Sequence, residues 1–164
     1  MTGTYQSIFN FFNMKKNLFD AGVKDEVIAR AMKLTAQSER AWGSMTPVEM
    51  LRHCSEALSA TLSNYKASKP TTLKQRVQRF MMLNVIPEFP QGAKTPAPLD
   101  MKQNKIVTLG LEKELQTFAE RVNTFYNYKE LFTSSHPYFG NLSRKQWGII
   151  SWMHIDHHLR QFGV

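Results

Sequence analysis

The chain has 164 residues, enough for one domain at roughly 100–200 residues per domain. Hydrophobic residues at 42% and charged residues at 21% exclude wholesale disorder, and a single cysteine, Cys54, excludes an intramolecular disulfide or a multi-cysteine zinc module. The net charge of +8 permits an anionic partner without requiring one, and no run of about 18 apolar residues offers a membrane span.

In chain order, Ile8 to Met14 is apolar but interrupted by Asn10 and Asn13, and Lys15 and Lys16 follow it rather than precede it. That order argues against a signal peptide and for a cytoplasmic protein. Residues 1–20 read as an irregular N-terminal segment of a single domain spanning 1–164. Asp25 to Leu34 predicts a short amphipathic helix with Val27, Ile28, Ala31, Met32 and Leu34 on its apolar side. A turn-rich stretch containing Trp42-Gly43 comes next. Thr46, Pro47 and Glu49 then form the signature of a capping box with proline at the first helical position. The helix they open is expected to run from Pro47 to about Lys66. Leu51, Leu58, Leu62 and Tyr65 make one stripe on it, and Met50, His53, Ala57 and Ala60 an adjacent one.

Pro70-Thr71-Thr72 breaks the chain, and a helix is expected from Leu73 to about Leu83. Asn84 to Asn104, with four prolines, is a long loop of a kind that is often functional, such as a lid, and it reads here as a surface crossover. Lys105 to Tyr126 predicts a long helix carrying Leu109, Leu111, Leu115, Phe118, Val122, Phe125 and Tyr126 at helical spacing. His136-Pro137-Tyr138-Phe139-Gly140 is an aromatic turn. Asn141 or Ser143 caps a last helix that ends near Phe162, with Gly163 as its stop. No credible strand pattern is present. Four main helices with longer connections fit an all-α four-helix bundle with short extra helices and a Pro-rich crossover loop.

Five histidines are present, and three of them, His154, His157 and His158, fall within one turn or so of the last helix. Residues four apart stand about 40° round a helix from each other, so His154 and His158 share a face and can bite one divalent cation. His157 lies about 60° to the other side of His154. It is an alternative ligand, a hydrogen-bonding neighbour, or a catalytic base. Asp156 points away and is expected to be solvated or to pair with Arg160. His53, on a stripe of small side chains, is the candidate third ligand. Three histidines with an open fourth position characterise catalytic rather than structural metals. His136 has two readings, a general acid or base over the metal mouth, or part of a turn that packs Tyr138 and Phe139 on the bundle; the second is preferred. Met50, Ala57 and Trp152 are candidate pocket residues.

Met45-Thr46-Pro47-Val48-Glu49-Met50-Leu51-Arg52-His53 together with His154-x-x-His157-His158-x-x-Gln161 resembles the DinB-like superfamily. Trp42-Gly43-x-Met45-Thr46-Pro47, the His136 to Gly140 turn and the ending His157 to Gly163 resemble its DUF1569 branch of uncharacterised proteins. The resemblance implies an up-down-down-up bundle and a divalent metal, zinc or nickel, held by His53, His154 and His158. It also implies a low-molecular-weight thiol such as bacillithiol, mycothiol or glutathione, used in S-transfer or isomerisation of a small-molecule substrate. One departure is that Leu159-Arg160-Gln161 stands where many relatives read Arg-Gly-Gln.

The expected function is therefore a metal-dependent thiol transferase or hydrolase, with a homodimer compatible with it. The alternatives are a metal- or ligand-binding bundle without turnover, and a basic interaction protein with structural histidines. Lys66, Lys69, Lys74, Arg76 and Arg79, with no acidic residue between Ala57 and Pro87, read as a solvated face rather than a nucleic-acid surface. Tyr65 and Phe80 beside them fit core stripes. Met81-Met82 and Phe11-Phe12 read as packing residues, and Cys54 as an inert buried thiol rather than a nucleophile.

Overall fold

The computed structural model describes residues 15–63, 70–92 and 107–164. Within them the chain forms helices α1 (Val23–Ala31), α2 (Pro47–Leu62), α3 (Leu73–Asn84), α4 (Leu111–Asn127) and α5 (Arg144–Gln161). The only β-structure among these residues is a two-residue ladder, β1 (Ser135–His136) against β2 (Gly140–Asn141). The protein is mostly helical, as its periodicity demands. The N-terminal expectation for residues 1–14, the packing of Phe11-Phe12, Tyr65, Lys66, Lys69 and most of the crossover loop lie outside the described residues.

Local chemistry sets the helix starts. Thr46 accepts from the Glu49 N–H at 3.2 Å while the Glu49 carboxylate accepts from the Thr46 N–H at 2.7 Å. The same reciprocal box opens α3 through Thr72 and Gln75, and α5 through Ser143 and Gln146. α4 begins at Leu111, later than expected, and leaves Leu109 60% exposed. The reason is Gly110, which starts the helix from a positive φ. The Leu109 N–H is instead capped by the buried Glu114 carboxylate at 3.0 Å.

α2 packs chiefly on α4, and α1 packs on α4 and α5. Between them lie Leu51, Leu58, Phe118, Val122, Phe125, Met153, Ile155 and Leu159, all essentially sealed from water. α5 is buried on most sides, which makes it the central helix. Asn17–Phe19 crosses it at Gly148. There Leu18 N–H donates to the Gly148 carbonyl at 3.1 Å, and a Cβ on Gly148 would sit 1.9 Å from Asn17 Oδ1. Gly148→Ala is expected to destabilise the fold by about 1–3 kcal/mol, read as a lowered midpoint in denaturant unfolding; an unchanged midpoint would show that the crossing is loose.

α3 departs from expectation. Leu73, Val77 and Phe80 do share one face at helical spacing, but that face is open to solvent, with Phe80 60% exposed. Phe80 is thus no core residue. Met82 is the one fully buried side chain of the helix, and Met81 is exposed. The helix is held by its other side: Gln75 donates to the Pro137 carbonyl at 3.0 Å, Arg79 donates to the Asn141 carbonyl, and Thr71 Oγ1 accepts from the Asn141 N–H at 2.9 Å. These bonds dock the β1–β2 hairpin beside α3. The hairpin carries the expected aromatic turn, with Phe139 buried and Tyr138 exposed.

Candidate metal centre

α2 and α5 bring His53, His154 and His158 together. The capping box and Pro47 fix where α2 begins, which places His53 in its second turn, pointing at α5. On α5 the two histidines are one turn apart. His53 Nε2 stands 3.0 Å from His154 Nε2, and one nitrogen from each of the three rings lies within 4.8 Å of the others. Nitrogens held about 2.0–2.1 Å from one tetrahedral zinc ion are about 3.4 Å apart, inside the observed span. The donor set is imidazole, which suits zinc, copper, iron and nickel alike. The three residues therefore fit a divalent cation.

The protons of the cluster are arranged by its neighbours. Gln161 Nε2 donates to the Trp42 carbonyl at 2.6 Å, which turns its Oε1 toward His158. His158 Nδ1–H donates to that oxygen at 3.0 Å, so Nε2 carries the lone pair. The Ala41 N–H, at 2.8 Å from the Gln161 carbonyl, fixes the same segment. Gly43 sits beside it with φ of 76°, and a Cβ there would approach Gln161 Nε2 to 2.4 Å. Gln161 and the Trp42-Gly43 turn thus support His158, a contact that their place in the sequence does not reveal. Their only local signal is the three-residue spacing of His158 and Gln161.

Burial lowers the pKa of His154 well below its ordinary value, and the neighbouring histidines lower it further, His158 and His53 first. Burial also pushes His158 down to about 3, with His53 adding to the effect and Gln161 opposing it. Both rings are neutral at pH 7, the form that binds metal.

His157 is not part of the trio. Its Nδ1–H donates to the Phe89 carbonyl at 3.1 Å, leaving Nε2 as an acceptor, and burial lowers its pKa despite that bond. Asp156 is not solvated: it pairs with Arg160 Nε at 2.9 Å and with Arg30 Nη1 at 2.7 Å. Arg160 also pairs with Glu88, so it ties the segment carrying Phe89 to α5.

A cavity of about 660 Å³ opens on this cluster. Ala57, His136 and His157 line it together with the three histidines. Met50 and Trp152, expected beside the pocket, are not among its described lining residues. Met50 is sealed in the core with its sulfur 3.8 Å from Cys54, and Trp152 lies about 200° round α5 from His154, on the opposite side. Cys54 is buried, and burial pushes its thiol pKa up, which keeps it protonated and inert.

His136 stacks on Phe139 with centroids 4.3 Å apart, and its Nδ1 accepts from the Tyr138 N–H at 3.1 Å. Its proton is therefore on Nε2. Burial lowers its pKa to about 4. Between pH 6.5 and 4 the unfolded chain takes up a proton at this position and the folded chain does not, so stability falls as pH falls through that window. His136→Asn, which keeps an acceptor for Tyr138, is expected to remove up to about 1.4 kcal/mol per pH unit of that slope in unfolding titrations. An unchanged slope would mean that His136 is protonated in the fold.

The fold and this cluster define a mostly helical protein with three convergent histidines on a cavity. The chain belongs to the family described as Protein of unknown function (DUF1569), whose model matches residues 6–163. No curated protein and no solved structure matches the chain.

Proposed function

We propose that this chain is a metal-dependent enzyme, a thiol-dependent S-transferase or a hydrolase of small organic substrates, that holds one zinc or nickel ion through His53, His154 and His158. The observation that carries this reading is the convergence of three imidazoles, one oriented by Gln161, on the wall of a cavity large enough for a substrate. We place the chain in the DinB-like superfamily, as one cytoplasmic domain with an up-down-down-up four-helix bundle.

When bound, the metal lowers the pKa of a thiol or water and so supplies a nucleophile near neutral pH. His157 Nε2, left as an acceptor by the Phe89 carbonyl, takes up the released proton. His136 Nε2–H, from the hairpin that lines the cavity, donates a hydrogen bond to the substrate. The segment held by Arg160 and Glu88 keeps Phe89 over the histidines and limits water there.

Turnover tests the proposal. Zinc- or nickel-loaded protein is expected to transfer a small thiol to an electrophile, or to hydrolyse an ester or amide, in a screen of both reaction types. Removal of metal by a chelator abolishes that rate and re-addition restores it. A fully loaded protein without turnover in either screen would favour the non-catalytic ligand-binding alternative.

A further inference from the structure

The side chains around the cavity differ from those expected for a charged ligand. Among the described residues that line it, none is lysine, arginine, aspartate or glutamate. Most of the wall is aliphatic or aromatic, with Leu58, Met82, Phe89, Phe139, Trp147 and Ile150 as its larger members. Its hydroxyls are partly committed inward. Ser134 Oγ–H donates to the Thr61 carbonyl at 2.6 Å, and Thr61 Oγ1–H donates to the Ala57 carbonyl at 3.0 Å. Neither proton is available to an incoming carboxylate. The guanidinium of Arg160 is taken by Asp156 and Glu88. A carboxylate or ammonium placed away from the histidines would lose its hydration and meet no opposite charge, an arrangement that costs several kcal/mol.

We propose that the cavity selects an uncharged, predominantly aromatic or aliphatic small molecule whose single polar head group faces His53, His154 and His158. The placement of the head group rests on the metal site proposed above. The selection for an uncharged body rests on the wall alone and holds with or without metal. The same wall disfavours multiply charged thiols as the molecule enclosed, and points to the apolar electrophile or ester as the enclosed partner.

The test uses a matched pair of fluorescent probes, uncharged N-phenylnaphthylamine and its sulfonated counterpart anilinonaphthalenesulfonate. Both are titrated against the full chain, metal-free and zinc-loaded. The expected result is preference for the uncharged probe by about tenfold or more in both forms, despite the protein's positive net charge. Ala57→Phe, which fills the cavity from α2, is expected to abolish binding of the uncharged probe. Gln78→Arg, a half-buried position on the wall, places a cation there and is expected to raise affinity for the sulfonate by about tenfold without disturbing the core. Equal or tighter binding of the sulfonate by the unmodified protein would overturn the proposal. So would binding of neither probe, or binding of the uncharged probe unaffected by a folded Ala57→Phe and a sulfonate affinity unaffected by Gln78→Arg. Failure of zinc loading with the probe preference intact would overturn the metal reading and leave this one standing.

Discussion

Untagged protein purified without added metal or chelator is expected to carry about one divalent cation per chain, and His154→Ala is expected to carry almost none. His154 touches both other rings of the trio, with its Nε2 at 3.0 Å from His53 Nε2 and its ring centroid 4.8 Å from that of His158. Removing it leaves two ligands on different helices, and affinity should fall by more than about a hundredfold, beyond what a supporting residue contributes. Metal analysis together with a competition titration against a chromophoric chelator measures both quantities. The variant should fold, because an alanine replaces a ring that borders the cavity rather than one sealed in the core. Affinity also falls as pH falls, because each imidazole must be neutral to bind, so acid releases the metal. Absence of metal in purified protein, with no uptake of zinc or nickel on titration, would sink the metalloenzyme reading.

Gln161→Leu is expected to weaken metal binding by about 10–100-fold while leaving all three ligands in place. The Trp42 carbonyl holds the Gln161 amide so that its oxygen faces His158, and that oxygen fixes which nitrogen of His158 carries the proton. Leucine keeps the volume and loses both bonds, so His158 is free to adopt the other tautomer and to rotate. Gly43→Ala should act in the same direction from a distance. Its Cβ would displace the Gln161 amide nitrogen, and its backbone would be held at a φ that alanine rarely adopts. The same chelator competition measures both variants, with thermal unfolding as the control for folding. Wild-type affinity in a folded Gln161→Leu protein would reduce the Trp42-Gln161-His158 chain to packing.

Several features of the site were legible before any coordinates. The pairing of His154 with His158 follows from the pitch of a helix, the capping box at Thr46 from side chains within three residues of its helix start, and a cap at Asn141 or Ser143 from residue type alone. The inertness of Cys54 follows from its place beside an apolar stripe. The two-residue ladder around the His136 turn was not legible, because four residues are too few to display an alternating pattern. Nor was the capping box at Thr72 and Gln75 read, although its residues stand in plain order.

The information readable along the chain is local: where helices begin, which side chains share a face, and that two histidines lie one turn apart. Packing between elements sets which face looks inward and what it meets. Helical spacing groups Leu73, Val77 and Phe80 correctly, yet that face of α3 lies in solvent. The period of a helix is the same whichever way the helix is turned about its axis, so rotation is set by packing against other elements. The same limit hid the contact of Gln161 with Trp42, the loss of Met50 and Trp152 from the cavity wall, and the absence of charge among its described residues. Each of these depends on residues far apart in the chain that meet only once α2, α3, the hairpin and α5 have closed around one space.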